Sequence, residues 1–169
     1  MSGGLSGAVV LLDETHDVDG FSCGKPQMDR WLRHHALKNQ ALNATRTYVT
    51  CEGKVVRGYF SIAPSSVEFI NIPPRFQDGL ARYPVPVILL ARLAVDEALH
   101  GQGIGASLLY EALHRALQAS RAIGGVAVVV DALDEQARAF YEKYDFERSP
   151  TDEMQLLLLM LDIATTFSD

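Results

Sequence analysis

The chain has 169 residues, a net charge of −6 at pH 7 and 48% hydrophobic residues, values that are ordinary for a globular domain. Its longest apolar runs fall well short of the ~20 residues of a membrane-spanning helix, its first residues lack the regions of a secretory signal, and its two cysteines predict neither a disulfide framework nor a metal site. We therefore expect one domain over residues 1–169, with buried or half-buried thiols at Cys23 and Cys51, in the reducing cytoplasm.

Hydrophobic periodicity in the first half of the chain predicts two strand regions around one helix. A short strand at residues 8–12 precedes a turn that enters a helix ending near Asn43, on which Met28, Trp31 and Leu32 recur at helical spacing. Alternating and β-branched residues then predict a hairpin of strands at 45–51 and 55–63, with residues 66–72 as a candidate continuation.

The second half predicts three further strands. Prolines at residues 73–86 favour a loop, and strands are expected at 87–95, 126–132 and 155–163, with a helix after each of the first two. This mixed order of strands and helices indicates an α/β protein with a partly antiparallel sheet.

Charge is unevenly distributed along the chain. Residues 24–92 carry ten basic and four acidic side chains, whereas the remaining residues hold the acidic excess. The acidic balance of the whole chain argues against nonspecific nucleic-acid binding. A basic half favours an anionic partner on one face, although ordinary solvated charges explain it equally well.

The most informative segment joins the strand at 87–95 to the helix that follows. Gly101, Gly103 and Gly105 recur at every second residue and open into an amphipathic helix. Glycine lets the backbone turn tightly and approach a ligand, and the first amides of a helix lack intrahelical partners and carry partial positive charge. The segment predicts a phosphate-binding loop, with a merely connecting turn as the simpler alternative.

Two common phosphate-binding motifs do not match this loop. A P-loop requires a lysine after its last glycine, and no lysine lies between Lys54 and Lys143. A dinucleotide-binding turn requires two residues between its second and third glycines, whereas Ile104 alone separates them here. The spacing that fits is Arg/Gln-x-x-Gly-x-Gly/Ala, with His100 in the first position.

A second motif follows the apolar strand at residues 126–132. The next segment predicts a short helix in which Ala137, Phe140 and Tyr141 recur at helical spacing, and Phe146 closes it. Asp145 precedes this phenylalanine, and aspartate tolerates left-handed backbone better than most residues.

Together the two motifs resemble the acetyl-CoA site of the GNAT-superfamily N-acetyltransferases. The second signature of that family, Ala-x-x-Phe-Tyr-x-x-x-Gly-Phe, corresponds to the segment from Ala137 to Phe146 with Asp145 in place of glycine, and His100 replaces the usual Arg or Gln of the first. The resemblance implies a GNAT fold: a mixed, mostly antiparallel sheet with two splayed parallel strands, at 87–95 and 126–132, and helices on both faces. It implies acetyl-CoA as co-substrate, no metal, and a cofactor site made of Leu93, Ala94, Val95, His100, Gly101, Gln102, Gly103, Ile104, Gly105, Ala106 and Ala132.

The implied reaction is attack of an amine on the acetyl thioester. Backbone amides near Leu93 to Val95 would bind the pantetheine arm and polarise the carbonyl. Tyr141 is the candidate acid for the leaving thiolate, because a phenol with a reference pKa of about 10 is protonated at neutral pH. A packed core aromatic is the alternative for this residue.

No carboxylate is clearly placed as a general base. Asp96 and Asp131 lie near strand ends, where they can simply hold turns. The histidine alternatives are more often surface or capping residues than bases. An α-amine needs the least help because a useful fraction of it is neutral at working pH. The four histidines that are alternative candidates for the general base are His34, His35, His100 and His114.

Further segments resemble one branch of this superfamily, the GNAT toxins of bacterial type II toxin–antitoxin modules. The likeness lies in residues 21–32, 44–49, 58–61 and 90–96, and runs from about Phe21 to Leu161. It implies acetylation of the α-amine of aminoacyl-tRNA, which blocks translation. It also implies neutralisation by a ribbon-helix-helix antitoxin, contact with operator DNA only through the antitoxin complex, and a homodimer with no membrane association.

Under this resemblance the basic half gains a role in substrate binding. Its candidate contacts to tRNA phosphates are Arg30, Arg33, Lys38, Arg46 and Arg92. Two alternatives stay open: an N-acetyltransferase for small-molecule or protein amines, and an acyl-CoA-binding module without turnover. Tyr141 argues against the module, while His100 and Asp145 leave it open.

Overall fold

A computed structural model describes residues 7–168 of the chain. Short 3-10 turns at Phe69–Asn71, Pro74–Phe76 and Glu97–Leu99 interrupt its loops. In chain order, its strands and helices are β1 (Val10–Leu11), α1 (Pro26–His34), α2 (Ala36–Ala41), β2 (Arg46–Glu52), β3 (Val55–Val67), β4 (Val85–Val95), α3 (Ile104–Ile123), β5 (Ala127–Asp131), α4 (Glu135–Lys143), β6 (Glu147–Ser149), β7 (Asp152–Leu159) and α5 (Met160–Phe167).

The strands form a mixed sheet with the order β1-β2-β3-β4-β5-β7-β6. β1 with β2, β2 with β3, β5 with β7 and β6 with β7 are antiparallel pairs. β4 and β5 run parallel, with Ile88 opposite Val128 and Leu89 opposite Val129. The expected mixed sheet, with its parallel pair on these two segments, is confirmed.

The described residues divide into two compact units, of which unit 1 comprises the residues up to 63 and residues 91–112. Its first helix, α1, begins at Pro26, whose fixed φ suits a first helical turn. His35 leaves helical geometry with a φ of −128°, and α2 resumes at Ala36. The single helix predicted up to Asn43 is therefore two helices, although the chain does turn at Asn43, with a φ of 62°.

The core of unit 1 packs α1 and α2 against β2 and β3. Leu32 and Ala36 from the helices lie with Val49, Val56 and Tyr59 from the strands, all at most 2% exposed. Burial of these side chains is the main source of stability in the unit. Both cysteine thiols belong to the same core, which confirms the expectation of buried thiols.

Unit 2 comprises residues 64–90 and 113 onward. Its core brings Val85 and Val87 of β4 together with Ala127 and Val129 of β5 and Leu157 of β7. Ile72 and, within the proline-rich stretch, Phe76 also belong to this core. The candidate continuation of β3 over residues 66–72 is correct only as far as Val67, where the strand ends, and a 3-10 turn follows.

The last predicted strand, at 155–163, is also partly wrong. β7 ends at Leu159, and Met160–Phe167 form a helix in which Met160 and Ile163 are buried while Leu161 is exposed. This three-residue spacing of buried positions marks an amphipathic helix at the end of a longer apolar run. The short strand β6 was not predicted from the sequence.

None of the helices within residues 7–168 is long and apolar enough to cross a membrane. The expectation of one domain over the whole chain stays a prediction.

Candidate functional site

The glycine loop in unit 1 uses its three glycines in two different ways. Gly101 and Gly103 have φ values of 82° and 81°, in the left-handed region that favours glycine. No heavy atom lies within 4 Å of a Cβ built at either position, so the surface above the turn is open to a ligand. Gly105 lies inside α3, which starts at Ile104, earlier than expected; its conformation is helical, and the expectation that it turns the chain is wrong.

The loop presents backbone donors at the start of a long helix. Ser107 N donates to Gly103 O at 3.1 Å, and this bond opens the α3 ladder. The amides of Ile104, Gly105 and Ala106 therefore precede the first amide that donates within the helix, and they point out of the helix end. Since α3 has 20 residues, its dipole adds partial positive charge there. Gln102 and Gly103 are exposed. This donor set fits a diphosphate.

His100, the unusual first residue of the motif, is bonded to the backbone. Its Nε2 lies 2.7 Å from Val95 O, the last carbonyl of β4. The ring therefore ties the loop to the strand end. Leu93, Ala94 and Val95, the predicted pantetheine contacts, form that strand end, and Ala94 and Val95 are buried.

The second motif lies in unit 2, on α4. Asp134 caps this helix, its Oδ1 accepting Ala137 N at 2.9 Å. Tyr141 is 5% exposed, and its ring packs edge-on against Phe140 at 5.2 Å and Phe146 at 5.3 Å between centroids. This apolar burial raises the pKa of Tyr141 well above its usual range. The phenol is thus held in its protonated, donor form.

The turn after α4 explains how aspartate replaces glycine in the motif. Asp145 adopts a φ of 73°, as the sequence predicted, and Tyr141 O accepts both Tyr144 N at 3.0 Å and Phe146 N at 3.2 Å. These two bonds bring the Phe146 ring back onto Tyr141. The backbone shape of the motif is kept despite the substitution.

Ala132 follows the end of β5, and its amide is already used. Ala132 N donates to Met154 O at 2.8 Å. The neighbouring Asp131 carboxylate accepts from Gln155 Nε2 at 3.4 Å. The contact of Ala132 with a cofactor remains a prediction, and it would have to use a group other than this N–H.

The five basic candidates, all in unit 1, fall into two groups. Arg30, Lys38 and Arg46 are exposed on α1, α2 and the start of β2. Arg33 is half-buried and its Nη1 donates to Phe21 O at 3.0 Å. Arg92 is half-buried too, and its burial lowers the pKa of the guanidinium.

Arg92 stacks on a pair of aromatic rings, a contact that was not predicted from the sequence. Its guanidinium carbon is 4.3 Å from the centroid of the Trp31 ring. Trp31 is in turn parallel to Tyr59, at 6.2 Å between centroids, and the Tyr59 hydroxyl donates to Met28 O at 2.9 Å. The helical pattern predicted a core position for Trp31, but its pairing with an arginine on a distant strand carries no local signal.

The histidine alternatives for a base differ in their surroundings. His34 and His35 are exposed at the junction of α1 and α2, and His114 stacks on Phe167 at 4.9 Å. Across residues 7–168, no group of histidine, cysteine and acidic side chains could hold a metal ion.

Comparisons with known proteins agree on one family. The model of the acetyltransferase (GNAT) domain matches residues 43–148. A tRNA-acetylating toxin of Mycobacterium tuberculosis is 43% identical over 158 residues, which cover 94% of this chain and 95% of that protein.

Solved structures of similar proteins extend this result. A Tyr-to-Phe mutant of KacT superposes with a TM-score of 0.90 at 25% identity, over 95% of this chain and 98% of that one. AtaT in complex with acetyl-methionyl-tRNAfMet gives a TM-score of 0.88 at 28% identity, over 95% and 99% of the two chains. An AtaT Tyr-to-Phe mutant bound to the C-terminus of the antitoxin AtaR and to acetyl-CoA gives 0.82 at 28% identity, over 96% and 98%. The AtaT–AtaR complex has also been solved bound to DNA, with a TM-score of 0.79 at 27% identity, over 95% and 99%.

Proposed function

Because this chain belongs to the GNAT acetyltransferases, and within them to the tRNA-acetylating toxins, we propose that it transfers the acetyl group of acetyl-CoA to the α-amine of aminoacyl-tRNA and so blocks translation. The observation that carries the proposal is the 43% identity to a tRNA-acetylating toxin over 94% of this chain.

The loop at residues 100–106 would hold the diphosphate of acetyl-CoA. The surface above Gly101 and Gly103 is open. The first amides of α3 supply hydrogen-bond donors there without a metal or a lysine. The backbone of Leu93 to Val95 would bind the pantetheine arm and polarise the thioester carbonyl. Acetyl-CoA itself supplies the activated acetyl group.

Tyr141 would act as the general acid. In the transfer, a carbon–nitrogen bond to the substrate amine forms, the carbon–sulfur bond breaks, and the departing sulfur takes the phenolic proton. Burial keeps that proton in place at working pH. The proton released by the amine then restores the phenol through solvent.

The exposed basic residues would hold the tRNA. Arg30, Lys38 and Arg46 lie on the surface of unit 1, where their charges can reach phosphates. Arg33 and Arg92 are instead engaged with Phe21 O and with the Trp31 ring. We expect the three exposed residues to contribute most of the salt-dependent affinity.

The partners and location proposed for this chain follow those of its relatives. AtaT is seen with the antitoxin AtaR and with DNA in complex with AtaR. We propose a ribbon-helix-helix antitoxin, operator contact only through that complex, a homodimer, and a cytoplasmic location for this chain.

Labelled acetyl-CoA tests the proposal directly. The purified chain is incubated with a charged tRNA pool, with the same pool deacylated, with N-formyl-methionyl-tRNA, whose amine is blocked, and with spermidine. We expect label on the charged pool alone, released by mild base as N-acetyl amino acid. Label on spermidine with none on charged tRNA would replace the proposal with a small-amine acetyltransferase. Acetyl-CoA binding with no acceptor labelled would leave a binding module.

A further inference from the structure

A buried carboxylate lies between the end of β4 and the glycine loop. Asp96 directly follows Val95 and is 4% exposed. Its Oδ1 accepts Ala98 N at 3.0 Å and so caps the 3-10 turn Glu97–Leu99 that leads to His100. One oxygen is enough for this cap.

The second carboxylate oxygen ties the turn to two other segments of unit 1. Asp96 Oδ2 accepts Ser22 N at 3.3 Å and lies 3.5 Å from Nη1 of Arg57 on β3. Arg57 Nε in turn donates to Glu52 Oε1 at 2.6 Å. A buried carboxylate is stable only when it is paired and hydrogen-bonded in this way.

Two main-chain hydrogen bonds join the same turn to the same two residues, Arg57 and Ser22. Asp96 N donates to Arg57 O at 2.8 Å, and Glu97 N donates to Ser22 O at 2.8 Å. At the other end of the turn, His100 Nε2 is 2.7 Å from Val95 O. The segment from Val95 to His100 is thus fixed at both ends and through its middle.

This fixed segment separates two sets of backbone donors. One set, Leu93 to Val95, would bind pantetheine, and the other, Gly103 to Ala106, would bind diphosphate. A ligand that spans both sets gains affinity when their spacing is set in advance, because the second contact becomes intramolecular. A ligand that reaches one set alone gains nothing from the spacing.

We infer that Asp96, anchored by Arg57 and Ser22 N, is a positioning residue for acetyl-CoA: it sets the spacing between the strand amides and the loop amides. The inference rests on the proposed function of the loop. Asp96 acts through the backbone and touches neither the cofactor nor the reacting atoms.

The test compares two acetyl donors. Acetyl-CoA reaches both sets of amides, whereas S-acetyl-pantetheine lacks the diphosphate. The measured quantity is the ratio of KM for S-acetyl-pantetheine to KM for acetyl-CoA, with charged tRNA as acceptor. Partial unfolding lowers the active fraction for both donors equally and leaves this ratio unchanged.

Three variants are compared with the unmodified chain. Asp96→Ala removes both the cap of the 3-10 turn and the contacts to Ser22 N and Arg57. We expect the KM ratio to fall about tenfold in this variant, which corresponds to the loss of one or two hydrogen bonds. The change in kcat should be smaller. Asp96→Asn keeps one cap oxygen and removes the charge facing Arg57, so an intermediate fall is expected. Asp152→Ala is the matched control. Asp152 Oδ1 accepts Met154 N at 2.9 Å in unit 2, which is the same kind of bond, to the amide two residues later, that Asp96 makes to Ala98 N. The KM ratio of this control variant should not change.

The outcomes separate the two proposals. If the unmodified chain uses both donors equally well, the diphosphate role of the loop fails. If it discriminates and Asp96→Ala discriminates to the same extent, or if Asp152→Ala lowers the ratio as much, the inference about Asp96 is overturned. Should circular dichroism show Asp96→Ala to be unfolded, Asp96→Asn decides, and an unaltered ratio in that variant counts against the inference.

Discussion

The two motifs of the proposed acetyl-CoA site lie in opposite kinds of surroundings. In unit 1 the glycine loop is exposed over residues 100–103 and is held by hydrogen bonds, among them those of His100 and Asp96. In unit 2 Tyr141 is buried among the rings of Phe140 and Phe146. An anion is bound by exposed backbone donors, whereas a proton is retained by exclusion of water. Each motif therefore has the environment that its proposed chemistry requires.

The largest expected effect tests whether Tyr141 acts through its phenolic proton or only through the packing of its ring. Tyr141→Phe keeps the packing and removes the donor, so kcat for acetyl transfer to charged tRNA should fall about 10²–10⁴-fold while the melting temperature changes little. Tyr144→Phe is the matched control, since this ring also packs on Phe140, and its kcat should be unaffected. A Tyr141→Phe enzyme with ordinary kcat would assign Tyr141 to the core alone.

A second change tests the loop of unit 1 against an ordinary glycine turn. Gly103→Ala and Gly53→Ala place a side chain at φ values of 81° and 61°, in both cases with nothing within 4 Å of the new Cβ. Each should cost about 1 kcal/mol of unfolding free energy. Only Gly103→Ala should also raise the Kd for acetyl-CoA, by about tenfold, as measured by calorimetry. Equal Kd values for the two variants would mean that the loop is only a connection.

A third change concerns the exposed basic surface of unit 1. Arg30→Glu should raise KM for charged tRNA several-fold, with KM for acetyl-CoA unchanged. The slope of log KM against log salt concentration should also decrease by about one, because one side chain no longer neutralises a phosphate. Arg121→Glu, exposed at the end of α3 in unit 2, serves as the control. The proposed role of α1 fails if both reversals weaken tRNA use to the same degree.

The pH profile sharpens the account of Tyr141. Its pKa is raised by burial, so the phenol keeps its proton at a pH where a solvent-exposed tyrosine would ionise. We expect kcat/KM in single-turnover measurements to rise as the substrate amine loses its proton and then to stay level up to about pH 9.5. A fall in kcat/KM near pH 8–9, with no matching change in the rate of substrate binding, would contradict this buried environment for Tyr141.

The smallest expected effect lies in the turn after α4. Asp145→Gly relieves the left-handed backbone at φ 73°, as Asn43→Gly does at φ 62° in unit 1, and each should stabilise the fold by about 0.5 kcal/mol in chemical denaturation. Activity should be unchanged in both. A fall in kcat for Asp145→Gly alone would show that the carboxylate has a role beyond the turn.

Local patterns in the sequence predicted both strands of the parallel pair, the tight turn at Gly101 and Gly103, and the left-handed backbone at Asp145. These features depend on spacing within a few residues. The parallel pairing of the two strands joins distant segments, and it was expected from the resemblance to the family. Where competing local preferences were close, the prediction failed: the apolar run after Gln155 continued a predicted strand into what is α5, and Gly105 was predicted as part of a turn although it is helical.

Contacts between distant segments had no local signal. The stacking of Arg92 on Trp31 and the bonds from Asp96 to Ser22 and Arg57 join residues far apart in the chain. Periodicity could place Trp31 on a buried helix face and Asp96 at a strand end, but the identity of each partner depends on how the strands and helices pack.

The binding of diphosphate by main-chain amides can be observed most directly by a two-dimensional ¹⁵N–¹H NMR titration of the labelled chain with acetyl-CoA. The amide resonances of Gly103 to Ala106 should show the largest downfield shifts, and the same resonances should move little with S-acetyl-pantetheine. Saturable acetyl-CoA binding with its largest amide shifts in another part of the chain would contradict the assignment of this loop.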